Sequence, residues 1–203
     1  MKYLPLFLAA LTLATTLQAE EQDSSFEITP FIGYRFGGSF DDTLADTGVD
    51  VDEDLSYGLV FAWDYDPKRQ GELLLSHFEG ATLNGNGTVS SIGDIAITYL
   101  HIGGNVPLSD GNFKNYISGG LGLSHFSPKN EIYANETKFS LNVGFNSRYY
   151  FTDNISWYGG VRAYATFFNS DSALFCNGGN CNIFISSDLW IQSELTTGIG
   201  FKF

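Results

Sequence analysis

Chemistry in this chain would have to come from few side chains. Arg148, Arg162, Asp64, Glu72 and Glu194 fall in stretches where apolar residues alternate with Ser, Gly, Asn and Thr. A charge on such a confined polar face is costly to desolvate unless an opposite charge lies beside it. Arg162 and Glu194 are therefore expected to form one ion pair, and Asp64, Glu72 and Arg148 a second cluster. Such groups line either a gate in a polar pathway or a plug that satisfies its own charges, and a plug is expected. Of the three histidines, His77 and His101 read as side chains at an interface. Ser124-His125 is no nucleophile–base pair, because neighbours on a strand point to opposite faces. A hydrolase acting on lipid would need another Ser or an Asp within reach of His125. No phosphate loop, nucleophile elbow or convincing triad is present, and no catalysis is expected.

Metal and redox chemistry find equally little support. Asp50, Asp52 and Asp54 alternate as in a calcium loop, but the positions that need Gly and a terminal Glu hold Leu55 and Phe61. A solvated acidic loop remains, and no metal or cofactor is expected. Cys176 and Cys181 enclose Asn177-Gly178-Gly179-Asn180. In an exported chain they read as a local disulfide that shapes a loop tip.

The elements that must hold these residues are strands. Leu55, Tyr57, Leu59, Phe61, Trp63 and Tyr65 lie on one face, against Ser56, Gly58, Val60, Ala62 and Asp64 on the other. That is the period-two pattern of a strand. It recurs, starting near Phe26, Glu72, Ile92, Asn115, Phe139, Trp157 and Trp190. Pro30 lacks a ladder donor and is expected at a bulge or a weakly paired position. The fourth segment shows two phases, Ile95, Ile97 and Tyr99 against Leu100, Ile102 and Val106, which suggests a bulge near Gly103-Gly104. Connections alternate between long (39–54, 80–91, 127–136, 168–187) and short (66–70, 109–112, 152–154). The fold class is all-β: an eight-stranded antiparallel transmembrane up-and-down β-barrel, with long loops outside the cell and short turns in the periplasm. A soluble barrel of the same strand count would carry Lys and Glu on its polar face, and here that face is Ser, Gly, Asn, Thr and Ala.

Composition supports the membrane. Only 16% of residues are charged, below the roughly 25% usual in soluble domains. Residues 1–19 have a basic start at Lys2, an apolar run and a small residue at Ala19, and read as a cleaved signal peptide; residues 20–203 form the barrel domain. With 23 acidic against 10 basic residues and a net charge of −13, nucleic acid is no expected partner. Trp63, Tyr65 and Trp157 are expected in a lipid-facing aromatic girdle.

The segments Glu72–His77, Tyr99–Gly104, Gly119–Gly122 and Phe201-Lys202-Phe203 resemble the small eight-stranded outer-membrane barrels, akin to the OmpA transmembrane domain and OmpX. The resemblance implies that Phe203 belongs to the signal read by the barrel-assembly machinery. It also implies a Gram-negative outer membrane with its lipid as surroundings. The expected function is structural or surface-interaction through the loops of a monomer, with the extracellular ligand unknown. The alternatives are a narrow, porin-like pore or carrier for small apolar molecules, and a lipid-modifying barrel enzyme.

Overall fold

The computed structural model describes residues 25–42, 47–66, 69–85, 93–129, 134–168, 173–177, 180–184 and 189–203. The expected signal peptide, residues 1–19, lies outside them. The strands are β1 (Phe26–Phe36), β2 (Ser39–Asp42), β3 (Thr47–Val51), β4 (Asp54–Asp66), β5 (Arg69–Gly85) and β6 (Gly93–Pro107). They continue with β7 (Phe113–Pro128), β8 (Glu136–Tyr150), β9 (Ile155–Phe167), β10 (Ala173–Asn177), β11 (Asn180–Phe184) and β12 (Leu189–Lys202).

Eight of these close a ring in the order β1, β4, β5, β6, β7, β8, β9, β12, with β12 returning to β1, and every pairing is antiparallel. Closure leaves no unpaired edge. The turns β4–β5, β6–β7 and β8–β9 are short and share one end with both termini of the ring. The hairpin β2–β3 pairs onto the far end of β5 through Val49↔Gly85 and Val51↔Leu83. The hairpin β10–β11 stands in the last long connection as a separate two-stranded sheet. Residues 39–54 and 168–187, expected as loops, thus carry hairpins, and β5 runs seven residues past the Phe78 where its alternation ends in the sequence.

Burial is inverted relative to a soluble protein. Among the described residues, 34 large apolar or aromatic side chains are exposed, whereas 20 of the 35 buried side chains are polar or charged. In β4, Leu55, Tyr57, Leu59 and Tyr65 are exposed while Ser56, Val60 and Ala62 are buried. Apolar surface on this scale is unfavourable in water at about 25 cal/mol per Å², so the wall is built for a hydrocarbon surround. Pro30 sits where the β1–β12 ladder omits the pairs at residues 29 and 30 while register holds on either side.

The expected bulge near Gly103-Gly104 is corrected. The β6–β7 ladder runs without a slip from Ile95↔Pro128 to Pro107↔Tyr116. The only slip beside β6 lies on β5, between Phe78 and Ala81. Ile95, Ile97 and Tyr99 keep the inward parity of His101 and Asn105, and all five are buried. What changes along β6 is the interior: apolar near the loop end, polar near the turn end. Gly103 needs its missing side chain here, because a Cβ would collide with the Gly119 and Gly120 backbone across the ladder.

Candidate functional site

The ring's tilt makes each row of ladder partners wind along the lumen, and one such row carries Arg162, Glu194 and Arg35. Following ladder partners from Gln70 gives Asn105, Ser118, Gly144, Arg162, Glu194, Arg35 and Asp54 in turn. Gln70 lies at the turn end and Asp54 at the loop end, because barrel strands are tilted and their register staggered. Arg162 and Glu194 are direct ladder partners, yet they do not pair with each other. Glu194 takes the next residue in the row and Arg162 reaches across the lumen.

Three buried ion pairs result. Near the turn end, Arg148 Nη1 donates to Glu27 Oε2 at 2.7 Å. The same oxygen accepts from Tyr150 OH at 2.9 Å, and Glu27 Oε1 accepts from Ser156 Oγ at 3.0 Å. In the middle, Arg162 Nη2 lies 2.8 Å from Glu72 Oε1, and Arg162 Nη1 donates to Asn142 Oδ1 at 2.6 Å. Toward the loop end, Arg35 Nη2 donates to Glu194 Oε1 at 2.9 Å. That carboxylate also accepts from Ser76 Oγ at 2.8 Å and from Tyr164 OH at 2.5 Å. Each pair carries further hydrogen bonds, which is what a buried pair needs to offset its desolvation.

The predicted network residues therefore all stand on the inner wall, with partners other than those expected. Arg162 pairs with Glu72 and not Glu194, and Arg148 pairs with Glu27. Asp64 joins neither; it accepts from Ser25 Oγ and from Gln70 Nε2, the latter at 2.7 Å. Glu27 and Arg35 were not singled out in the sequence as network members. The signal was available, since alternation in β1 puts both on the polar face.

Above the third pair the lumen turns aromatic. The Arg35 guanidinium lies 5.2, 4.8 and 5.3 Å from the ring centres of Phe78, Tyr99 and Tyr164, within cation–π range. Tyr99 and Tyr164 stack at 4.2 Å, and Tyr99 OH donates to Gln192 Oε1 at 3.0 Å. Over them Phe126 packs against Phe168 and Trp190 at 5.5 and 5.4 Å. Phe78, Tyr99, Phe126, Tyr164, Phe168 and Trp190 are all at most 3% exposed. Alternation in β9 and β12 puts Tyr164 and Trp190 on the inward face, but that these rings meet Phe78, Tyr99, Phe126 and Phe168 in one layer follows only from closure of the ring.

His101, expected at an interface, instead points inward: it is buried, stacked beside Tyr99 and Tyr164, and hydrogen-bonded to Ser140 Oγ at 2.8 Å. His77 and His125 face outward. His125 Nδ1 lies 2.8 Å from Thr137 Oγ1, and Ser127 Oγ lies 3.2 Å from its Nε2. Ser127 is thus the neighbour that a hydrolytic reading required. The far nitrogen, however, meets a hydroxyl where a Ser-His-Asp site has a carboxylate to stabilise the imidazolium.

Tyr65 and Trp157 are exposed on the outer wall toward the turn end, and Trp157 Nε1 donates to Thr197 Oγ1 at 3.0 Å. Trp63 is half-buried, its ring lying where Gly71 would otherwise carry a Cβ. Phe203 is 74% exposed, its backbone tied to Phe26 by hydrogen bonds of 2.8 and 3.2 Å. Cys176 and Cys181 are direct ladder partners across the β10–β11 hairpin. The side chains around that hairpin, including Phe175, Ile183 and Phe184, lie outside what is described, as does residue 185.

No family model and no curated relative matches the chain. Solved structures do. The outer membrane protein OprG from Pseudomonas aeruginosa superposes with a TM-score of 0.64 at 14% identity, over 89% of this chain and 96% of that one. Neisserial surface protein A gives 0.60 at 12% identity, over 88% and 97%. A major outer membrane protein from Thermus thermophilus gives 0.57 at 14% identity, over 89% and 99%. With its closed ring, apolar outer wall and self-paired interior, this chain has the fold of the small eight-stranded outer-membrane β-barrels.

Proposed function

We propose that this protein is a bacterial outer-membrane barrel with a sealed lumen, acting as a surface-display scaffold whose extracellular loops meet ligands outside the cell. The observation that carries this reading is an interior crossed by its own side chains: three buried ion pairs, each with at least one further hydrogen bond, beneath an aromatic ceiling. An eight-stranded barrel is only just wide enough for its own side chains, and here those side chains bond to one another. The ends are then assigned: the short turns are periplasmic, and the loops with the β2–β3 and β10–β11 hairpins are extracellular. Planar bilayers containing the purified barrel are expected to stay silent. Reproducible single-channel steps would favour the alternative, a narrow pore or carrier.

Export to an oxidising compartment and the facing register of Cys176 and Cys181 support a disulfide in the last loop. Facing residues of an antiparallel pair lie about 4.5–5.5 Å apart at Cα, within the reach of a disulfide. Native protein is expected to resist iodoacetamide until reduced and then to take up two labels. Immediate labelling under oxidising conditions would count against the bridge. Assembly machinery reading Phe203, and a monomeric state, belong to the same reading.

A further inference from the structure

On the outside of the barrel, at its periplasmic rim, the end of β4, the start of β5 and the β6–β7 connection line a cleft of about 740 Å³, with Asp66, Arg69, Val106, Pro107, Leu108 and Asp110, and Ser109, around it. The register explains why these residues meet. Gln70 faces Asn105 across the β5–β6 ladder, so the next residue outward on each strand, Arg69 and Val106, turn together to the outer wall. Arg69 donates through Nε to Asp66 Oδ2 at 2.7 Å, and its guanidinium lies 5.6 Å from the Tyr65 ring centre. Its side chain is 59% exposed, which leaves the guanidinium open to a ligand in the cleft. Val106 and Leu108 are 51% and 56% exposed and continue the apolar wall up to this charged rim.

The charges select an occupant. A simple anion would meet Arg69 but also the carboxylates of Asp66 and Asp110; a simple cation would meet the reverse conflict. A molecule carrying both signs and an apolar tail can set its anion on the part of the Arg69 guanidinium that Asp66 leaves exposed, its cation on the exposed Asp110, and its tail on the wall. We propose that this cleft binds the headgroup of a zwitterionic phospholipid bearing a primary ammonium, with its phosphate on Arg69 and its ammonium on Asp110. Phosphate and guanidinium match in geometry as well as charge. The ammonium donates hydrogen bonds that a quaternary choline cannot. The acyl chains then run from Val106 along the outer wall toward Ile102, which is 55% exposed. The proposal rests on the barrel spanning a membrane and is independent of what its loops bind.

The test is native mass spectrometry of the full barrel in detergent, offered equal amounts of phosphatidylethanolamine, phosphatidylcholine and phosphatidylglycerol of the same chain length. Retention of phosphatidylethanolamine is expected to exceed that of the other two about five-fold, as befits one partly exposed charge-assisted contact. Arg69→Ala is expected to lower retention of all three lipids. Asp110→Asn is expected to remove the preference for ethanolamine over choline while keeping the phosphate contact. Heat-modifiable gel mobility checks that each variant is folded. Equal retention of the three lipids, a preference for phosphatidylglycerol, or an unchanged preference in both folded variants would overturn the proposal. A barrel that stays soluble without detergent would instead overturn the membrane reading itself.

Discussion

Replacing Glu194 with Leu is expected to destabilise the barrel by about 3–5 kcal/mol, because it leaves the Arg35 guanidinium buried without its counter-charge. Both side chains are fully buried, so water cannot take the place of the lost carboxylate. Tyr164 and Ser76 lose their acceptor in the same step. The measurement is urea unfolding from lipid vesicles followed by tryptophan fluorescence. The double variant Arg35→Met/Glu194→Leu is expected to recover most of the loss, since removing both charges also removes both desolvation penalties. Arg35 already lies among Phe78, Tyr99 and Tyr164, so an apolar side chain of similar length suits the site. A double variant as unstable as Glu194→Leu alone would mean that the pair contributes more than compensation.

The second large effect is expected on the opposite face. Leu121 lies in the middle of β7, faces outward and is 54% exposed. Leu121→Arg should cost about 2–4 kcal/mol if the residue sits near the bilayer midplane, read by the same vesicle unfolding. A soluble barrel predicts no such loss, because an exposed Leu replaced by Arg is at worst neutral in water. One substitution thus separates a wall facing hydrocarbon from one facing solvent, and Ser118→Ala, on the inner face of the same strand, serves as the control. A loss of less than about 0.5 kcal/mol, the ordinary scale of surface substitutions, would contradict the membrane wall.

The inner charges were only half legible. Alternation along β1, β5, β8, β9 and β12 tells which carboxylates and guanidinium groups face inward. It does not tell which carboxylate each guanidinium reaches. Arg162 on β9 is a ladder neighbour of Glu194 but pairs with Glu72 on β5, the strand diametrically opposite in the ring. In a narrow lumen, long side chains reach across the ring as easily as along it. The partner is then set by the stagger of the strands, and stagger is a property of closure.

β6 shows the same limit from another side. Its two apparent phases imply a bulge only if the apolar residues of this strand all face outward. The ladder continues unbroken, and Ile95, Ile97 and Tyr99 join Phe78 and Phe126 inside. Alternation is a statement about two faces, and it cannot say that one face changes character partway along.

The amino-acid order by itself determined the eight strands of the ring, their antiparallel up-and-down arrangement and the outward apolar face, because side-chain direction in a strand alternates residue by residue whatever the neighbours are. Only the tertiary structure decided the ion-pair partners, the aromatic ceiling and the cleft at Arg69. Those depend on how eight tilted strands are staggered when the ring closes, which brings together residues such as Arg35 and Glu194, far apart in the chain.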